Sequence, residues 1–422
     1  MNVLTKEYLA HQVRLRFYDI DVTIESDSGT FIGNFARLYR RFCTENQPSA
    51  SPASLYRDSI VNSAERSGEL RKTCTEREAV QRNTREPASF KCIILSNPDN
   101  PWGRQVMICN GEVWPISDQR LLEGYAYEVI LSAIITRLRS HLLVHAGVVS
   151  CNGQGVIIVA NTMHGKTTLV LELVRRGFRF LSDEMAALGR CDHTVHPFPR
   201  SLWIRRGTLE LTGLSGKAVN APEWMDKFVF DIEEIIPDSL GAAAPVKHII
   251  MLHNPDEVKV ADVNRVGQDV CVMIDRFDDE FLDDVRRGEG ITNVRKSVYL
   301  GYPALRLWAE RPNAALSAVE LLCRQYKILV MDVVKGERER PTFKAGATIQ
   351  KIPASQAVVG LLGHYLGGYL SDVLHNEFAG SSTRLFMELL SIVGNARCYR
   401  ISVGPLGEVA DLVCEAVNGG LP

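Results

Sequence analysis

Apolar and polar residues alternate between positions 13 and 24, and the phase of the alternation changes near Tyr18. A period of two residues is typical of strands with one buried face, so this segment predicts two short strands or one strand with a bulge. A later apolar segment, 106–116, predicts strands as well. The Asn110-Gly111 pair inside it favours a type I′ turn and therefore a hairpin.

Helical spacing occurs in two places. Large apolar residues recur at three- and four-residue steps between positions 31 and 42, and a longer amphipathic pattern covers 119–140. The segment 44–89 is rich in Ser, Pro, Glu and Arg and carries few large apolar side chains, which predicts a mobile insertion or a partner-binding arm. Together these patterns predict an α+β N-terminal domain over residues 1–120, with the insertion inside it.

The pattern then changes to alternating strands and helices. LLVHAGVVS (142–150) and VIIVA (156–160) are predicted as strands, TTLVLELVRRG is predicted as the helix after them, and FRFLSDEMAAL (178–188) is predicted as an apolar strand that ends in Asp183-Glu184. This order predicts the α/β fold class, with a catalytic domain that we place over 121–335. Residues 336–422 are predicted to form a C-terminal α/β extension packed on that domain.

Composition limits the classes of function. Hydrophobic residues make up 45% and charged residues 23% of the 422 residues, which are globular proportions. The formal charge of −2 attracts no polyanion, so no nucleic acid is expected as a partner. No uninterrupted apolar run reaches the ~18 residues of a membrane span. The N-terminus lacks the order of a secretory signal, so we expect a cytoplasmic protein with no membrane partner.

The strongest chemical signal is the loop ANTMHGKTT at 160–168, between a predicted strand and a predicted helix. It fits the permissive Walker A pattern, with Ala160 at the usual first glycine. Gly165 lets backbone amides approach phosphate oxygens, Lys166 would bridge the β- and γ-phosphates of ATP, and Thr167 would complete a Mg²⁺ shell. A structural turn, or a degenerate loop that binds without catalysis, is the alternative. The candidate nucleotide-binding residues are Ala160, Asn161, Thr162, Met163, His164, Gly165, Lys166, Thr167 and Thr168.

Two acidic residues, Asp183 and Glu184, follow this loop closely along the chain. Beside a γ-phosphate, one carboxylate can accept the proton of an acceptor hydroxyl and the other can hold or orient Mg²⁺. A helix N-cap or a turn pair is the structural alternative. His145 is expected on the strand next to the loop strand, where it would face the γ-phosphate. A hydrogen-bonded core histidine is an equally good interpretation of it.

These features resemble the HPr kinase/phosphorylase group and its related kinases, which share a nucleotide site with phosphoenolpyruvate carboxykinase-type folds. VHAGVVS, ANTMHGKTT, LVRRGFRF and LSDE carry the resemblance, which is specific over about residues 142–206. It implies a P-loop catalytic sheet that uses ATP and Mg²⁺. The family's catalytic and metal-binding roles then fall on His145, Lys166, Thr167, Asp183 and Glu184, with Thr167, Asp183 and Glu184 as the metal ligands.

One segment departs from the family pattern. The glutamate of the family's Leu-Glu-Ile-Arg segment is Trp203 here, whereas its arginine is retained as Arg205, which we include among the candidate catalytic residues. A guanidinium from Arg200, Arg205 or Arg206 would clamp the acceptor or the transferring phosphoryl group, unless these side chains form surface salt bridges. We therefore extend only the kinase reaction to this chain, and not HPr as its acceptor.

The leading prediction is an ATP-dependent kinase that transfers the γ-phosphoryl group to a hydroxyl, with a serine of a peptide or protein as the favoured acceptor. The arginine-rich insertion and the additional N-terminal domain favour a peptide over a small molecule. A small-molecule hydroxyl kinase and a non-catalytic nucleotide-binding or ATPase module are the alternatives. A homo-oligomer is compatible with the sequence.

Overall fold

The computed structural model describes residues 9–44, 88–97, 105–109, 111–116, 122–161, 164–220, 223–224, 227–254, 268–299, 302–309, 312–328, 330–335, 346–366 and 382–419. The described elements form four sheets with packed helices, which makes the chain a mixed α/β protein. Within these ranges no helix is long and apolar enough to cross a membrane. Most of the predicted insertion at 44–89 and the loop residues Thr162 and Met163 lie outside the described residues.

The N-terminal region forms a five-stranded sheet with two helices. Its elements are β1 (His11–Phe17), β2 (Ile20–Ser26), α1 (Gly29–Leu38), β3 (Ala88–Leu95), β4 (Val106–Cys109), β5 (Glu112–Pro115) and α2 (Leu122–Arg137). The chain turns between β1 and β2 at Tyr18, whose φ is 55°. The predicted pair of strands, the helix after them and the later hairpin are therefore confirmed.

The segment between residues 141 and 253 supplies most of a central sheet. Its elements are β6 (His141–His145), β7 (Gly147–Cys151), β8 (Gln154–Val159), α3 (Lys166–Arg175), β9 (Arg179–Ser182), β10 (Met185–Gly189), β11 (Thr194–His196), β12 (Leu202–Arg205), α4 (Arg206–Leu211), β13 (Glu223–Trp224), β14 (Lys227–Phe230), α5 (Ile232–Ile235) and β15 (Ala244–His253). Strands β12, β14 and β13 form a separate small sheet in that order.

The remaining elements belong to two different sheets. A four-stranded sheet and its helices contain β16 (Gln268–Ile274), α6 (Asp279–Arg286), β17 (Ile291–Tyr299), β18 (Tyr302–Ala309), α7 (Pro312–Gln325) and β19 (Val330–Lys335). The chain then returns to the central sheet with β20 (Ile349–Ile352), α8 (Ala354–Leu362), α9 (Ser382–Val393), β21 (Arg397–Ser402) and α10 (Leu406–Asn418).

The central sheet is covered by helices on both faces. Its strand order is β6-β10-β11-β15-β8-β7-β9, and β21 joins it beside β15, with β20 beyond. Val156 and Ile158 of β8 pack in the cluster that contains α3 and α10, whereas Ile157 and Val159 pack in the cluster that contains α8 and α9. A strand buried on both faces has a continuous apolar run, which is why the sequence predicts β8 so clearly.

The two segments that flank residue 335 differ in the sheet they enter. Strands β16 to β19 surround a core of their own, whereas β20 and β21 complete the central sheet. The predicted catalytic region 121–335 thus contains more than one sheet, and the predicted extension 336–422 supplies two strands of the central one. The domain boundaries themselves stay predictions.

The segment 142–150, predicted as one strand, is divided in the structure, because it breaks at Ala146 into β6 and β7. The strand predicted to end in Asp183-Glu184 is confirmed, since β9 ends at Ser182 and β10 begins after the acidic pair, at Met185. The two interruptions lie at the same level, because β6 pairs with β10 while β7 pairs with β9. The apolar run 142–150 cannot reveal its break, since both of its halves are buried.

Gly147, the first residue of β7, is closely covered by helix α3. A Cβ atom added at this position would lie 2.5 Å from Val170 Cγ2, closer than such atoms approach without a shift. We expect Gly147→Ala to lower the free energy of unfolding by about 1–3 kcal/mol through overpacking. Denaturation in guanidinium chloride would measure the change.

Gly33 provides the matched control for this substitution. It lies in α1, and an added Cβ would meet nothing within 4 Å beyond its own helix backbone and chain neighbours. Gly33→Ala is therefore expected to stabilise the protein by about 0.5–1 kcal/mol. Equal and small effects of the two substitutions would contradict the close packing of α3 on Gly147.

Candidate functional site

Residues 160–166, called the 160–166 loop from here on, connect the buried strand β8 to the buried helix α3 at the carboxyl end of β8. Strand β8 ends at Val159, and α3 begins at Lys166 with Gly165 as its N-cap. Gly165 has a φ of 80°, a left-handed conformation that glycine adopts without steric cost. Among the described residues no side chain caps α3, so the amide groups of its first turn are left to favour an anion at this end of the helix.

Lys166 and His145 are in direct contact in this site. The Nζ atom of Lys166 lies 2.7 Å from Nε2 of His145. Burial lowers the pKa of Lys166 to about 7, and the negative charge of Asp183 opposes this shift. Burial also lowers the pKa of His145, to about 3, and the charge of Lys166 lowers it further. The His145 ring is therefore neutral at neutral pH, and its Nε2 accepts a hydrogen bond from the lysine.

The chain brings His145 to the site by a route that differs from the predicted one. His145 does not lie on a neighbour of β8; it is the last residue of β6, which pairs with β10. It stands opposite Met185 in that ladder, and the amide of the next residue, Ala146, donates to Glu184 O at 3.0 Å. The break at Ala146 therefore keeps His145 beside the acidic pair while β7 lies next to β8.

His364 joins this group, although it is not among the candidate site residues predicted from the sequence. It lies just after α8, and its carbonyl oxygen accepts a hydrogen bond from the His145 amide at 2.7 Å. The two imidazole rings are stacked with their centres 6.4 Å apart. Burial lowers the pKa of His364, and the charge of Lys166 adds to the effect. No local pattern links His364 to the loop, because the contact depends on how α8 packs.

Asp183 is the buried member of the acidic pair. It lies in the turn between β9 and β10 and is 4% exposed. Its Oδ1 atom has no hydrogen-bond partner within the part of the chain that the structure describes. Burial raises the pKa of its carboxyl group, and the charges of Arg200 and Lys166 oppose the increase. A buried, unpaired carboxylate oxygen with a shifted pKa marks a candidate functional position.

Glu184 pairs with an arginine, and that arginine is Arg200. The Nη2 atom of Arg200 contacts Oε2 of Glu184, and its guanidinium carbon lies 5.4 Å from the ring centre of Tyr127. Arg205 ends β12 and stands opposite Lys227 in the ladder with β14. The arginine that the structure shows against the acidic pair is therefore Arg200, and the catalytic role of Arg205 stays a prediction.

The loop residues near Lys166 differ in their surroundings. Thr168 is buried, and its hydroxyl lies 3.0 Å from that of Thr208, so it connects α3 to α4. Thr167 is half-buried at the start of the helix. Asn161 is exposed, and its carbonyl oxygen accepts a hydrogen bond from the His164 amide at 3.2 Å. Thr167 is thus the better candidate for contact with a ligand, while Thr168 holds the helices together.

The residues at this edge fit a magnesium ion that is bound together with phosphate. Within the described ranges, no group of three or more His, Cys, Asp and Glu side chains is arranged to hold a metal alone. Mg²⁺ usually keeps several waters and takes one or two carboxylates plus substrate phosphates. Asp183 offers an unpartnered carboxylate oxygen of this kind beside the start of α3.

The chain is a mixed α/β protein in which a helix N-terminus, a lysine of lowered pKa and a buried carboxylate meet at one sheet edge. No protein-family model and no curated protein matches it. Among solved structures, the Hpr(Ser) kinase/phosphatase from Coxiella burnetii is similar at 16% identity, with a TM-score of 0.20, over 44% of this chain and 95% of that chain. A TM-score this low does not define a shared fold, so the function rests on the residues of this chain.

Nucleotide affinity is expected to fall as the pH rises above about 7. A bound triphosphate favours the protonated form of Lys166, whose pKa in the free protein is about 7. Above that pH, binding must first protonate the amine, which weakens it by up to about tenfold per pH unit. Fluorescence titration with a labelled ATP analogue, from about pH 6 to about pH 9, would measure this dependence.

Lys166→Arg is the matched control, because a guanidinium stays protonated over this range. It retains the positive charge and removes the titration, so its affinity should change with pH only as the nucleotide itself titrates. The difference between the two curves therefore reports Lys166 alone. Parallel curves for the two proteins would contradict a lowered pKa of this lysine.

Proposed function

We propose that this protein is an ATP-dependent kinase that transfers the γ-phosphoryl group to a hydroxyl acceptor. The observation that carries the proposal is that Lys166 and Asp183 both lie against Gly147. A Cβ atom added to Gly147 would lie 3.3 Å from Lys166 Cγ and 3.8 Å from the main-chain carbonyl oxygen of Asp183. The side chains of the two residues also interact, because the charge of each shifts the pKa of the other. A cation for phosphate oxygens and a buried proton acceptor thus stand together beside a helix N-terminus, the combination that phosphoryl transfer requires.

The triphosphate of ATP would bind at the start of α3. Amide groups of the first helical turn donate to phosphate oxygens, and the left-handed Gly165 leaves room for their approach. Lys166 would exchange its contact with His145 for the β- and γ-phosphates. Burial leaves His145 neutral and Lys166 only partly protonated at neutral pH in the free protein. The incoming negative charge of the phosphates favours the protonated form of the lysine.

Asp183 would act as the base. Its carboxylate takes the proton of the acceptor hydroxyl, the acceptor oxygen forms a bond to the γ-phosphorus, and the bond from that phosphorus to the β,γ-bridging oxygen breaks to release ADP. Burial raises the pKa of Asp183, which strengthens it as a proton acceptor. Its position beside Lys166 holds base and phosphate at the short range on which such chemistry depends.

Magnesium, when bound with the nucleotide, would neutralise phosphate charge. Thr167, Asp183 and Glu184 are the residues that we propose to hold it. The ion pair with Arg200 fixes Glu184, so this carboxylate is oriented before any ligand arrives. Arg200 also brings its own positive charge close to the transferring group, because it is buried at the same turn.

A serine of a peptide or protein is the acceptor that we favour. The segment 65–86 combines many arginines with few large apolar residues, a composition suited to contact with an extended chain. A small-molecule hydroxyl is the alternative acceptor. Substrate arrays that contain both classes would distinguish them.

The test is a transfer assay with the purified full chain, γ-labelled ATP, Mg²⁺ and mixed acceptors. Label that moves to a serine-containing peptide supports the proposal in full, and label on a small hydroxyl compound supports the kinase with the alternative acceptor. Release of free phosphate at the same rate with and without acceptor would replace the kinase by an ATPase. Tight ATP binding with neither product would leave a nucleotide-binding module and overturn the catalytic proposal.

A further inference from the structure

A polar cavity lies at the end of the central sheet opposite the 160–166 loop. Strands β8, β15 and β21 run parallel. Gln154 and Arg397 are the first residues of β8 and β21, and His248 of β15 pairs with Arg397. The cavity has a volume of about 430 Å³. Sites for small molecules typically span ~300–1,000 Å³, so the cavity can hold a metabolite-sized ligand.

The walls of this cavity carry positive charge and amide groups. Lys247 and Arg397 contribute two exposed cations, and Asn395 and Asn418 contribute exposed side-chain amides. Among the described residues that line it there is no aspartate and no glutamate. Two cations without a lining carboxylate, together with several hydrogen-bonding amides, favour a small anion that also carries polar groups.

His248 lines the cavity and has one ring nitrogen without a hydrogen-bond partner among the described residues. The side chain is 1% exposed, and its Nε2 lies 3.1 Å from Gln154 Oε1. Its Nδ1 is buried with no hydrogen-bond partner in the described residues. Burial, with the charges of Arg397 and Lys247, lowers the pKa of His248 to about 4. The ring is therefore neutral at neutral pH, and because Nε2 donates to Gln154, Nδ1 is a hydrogen-bond acceptor.

We propose that this cavity binds the phosphate group of a small molecule, with Arg397 and Lys247 donating to the bare oxygens and a protonated phosphate oxygen donating to His248 Nδ1. Phosphate fits this pattern better than a carboxylate. Inorganic phosphate near neutral pH carries at least one hydroxyl beside its negative oxygens. A phosphate monoester, whose second pKa is about 6, keeps a hydroxyl in its monoanionic form. A carboxylate at that pH only accepts, and it would leave Nδ1 unpaired.

The same phosphate chemistry occurs in free inorganic phosphate and in a phosphate monoester. The amides of Asn395 and Asn418 lie at the same cavity, where they can pair with hydroxyl groups attached to the phosphate. Inorganic phosphate and glycerol phosphate are therefore the two probes. Tighter binding of glycerol phosphate assigns the site to a monoester, and equal binding assigns it to the free ion; either result supports the phosphate site.

The first experiment is calorimetric titration of the unmodified full chain near neutral pH with phosphate and with sulfate. Sulfate has the same shape and charge but carries no proton at this pH, so it cannot donate to His248 Nδ1. We expect phosphate to bind the cavity about threefold to tenfold more tightly than sulfate, the value of one hydrogen bond. Equal affinities would overturn the assignment of His248 as the acceptor.

The second experiment separates this cavity from the 160–166 loop, which is also expected to attract phosphate. Phosphate binding should persist in Lys166→Met and weaken by about 30-fold or more in the double variant Lys247→Gln, Arg397→Gln. The matched control is Lys351→Gln, Arg384→Gln, which removes the same two charges from exposed positions outside the lining. Thermal melting would confirm that these surface variants are folded.

The two sites can fail separately in this design. Binding that disappears with Lys166→Met alone belongs to the loop and would overturn the cavity proposal. Binding that survives unchanged in the Lys247, Arg397 double variant would overturn it as well. Neither result alters the kinase proposal, which depends on residues at the other end of the sheet.

Discussion

Substituting asparagine for Asp183 is expected to lower the rate of phosphoryl transfer from ATP by about 10²–10⁴-fold and to leave the affinity for nucleotide without Mg²⁺ nearly unchanged. Asparagine has almost the same shape, but it cannot take the proton of an acceptor hydroxyl. The buried carboxylate lies beside Lys166 and Arg200, so a neutral side chain removes chemistry without removing the cations that bind phosphate. Transfer of labelled phosphate would give kcat, and titration with a non-hydrolysable ATP analogue would give the affinity.

Asp238→Asn is the matched control for this substitution. Asp238 is exposed, so the same chemical change is made at a position outside the protein core. Its φ is 54°, a conformation that asparagine tolerates well. Its kcat should equal that of the unmodified protein. If Asp183→Asn transfers phosphate at an undiminished rate, Asp183 is not the base, and the acidic pair serves the turn between β9 and β10 instead.

The sequence predicts the 160–166 loop well because the responsible forces are local. The apolar run of β8 can bury both of its faces only inside a sheet that is covered on both sides. The helix that follows has buried residues at Leu169, Val170 and Leu173. Gly165 then stands where the backbone must take a positive φ. Each of these features depends on residues within a few positions, so a single sequence carries the information.

The break at Ala146 could not be predicted in the same way as the end of β9 at the acidic pair. It lies inside an apolar segment whose halves are equally buried, and it depends on which strands become neighbours. The prediction of His145 on a neighbour of β8 is wrong for this reason. The residue still contacts Lys166, because β6 ends at the same level as the turn that holds the acidic pair.

His364 and Arg200 are the residues that long-range packing adds to the site. His364 reaches His145 through the position of α8, a helix that sequence patterns place only as a packing element. Arg200 appears in the sequence as one of three nearby arginines, and only the fold selects it as the partner of Glu184. Pairing between distant elements leaves no periodic signal, so a single sequence does not distinguish these candidates.

Trp203 links the N-terminal core to the cations beside the acidic pair. Its ring lies 4.9 Å from that of Tyr127 and packs with the N-terminal core. The guanidinium of Arg200 and the amine of Lys227 lie 5.8 and 5.7 Å from its ring centre. An indole at this point therefore supports the cations beside the acidic pair through its π face rather than by charge.

Substituting methionine for Lys166 is expected to weaken ATP binding by about 10–100-fold, the contribution of a hydrogen bond between charged groups, and to abolish efficient transfer. The same substitution should stabilise the free protein. Burial lowers the pKa of Lys166 from its ordinary value of 10.5 to about 7, so the fold disfavours the charged amine. This destabilisation is complete below about pH 7 and disappears as the pH rises toward the unfolded pKa, because the unfolded chain then also releases its proton.

The two effects together separate a lost ligand contact from misfolding. Denaturation midpoints of Lys166→Met should exceed those of the unmodified protein below about pH 7, and the difference should shrink as the pH rises toward 10.5. Lys351→Met is the matched control, because Lys351 is exposed and should change neither ATP affinity nor the pH dependence of stability. A Lys166→Met protein that binds ATP normally would contradict the proposed site, and one that is less stable at every pH would contradict the lowered pKa of this lysine.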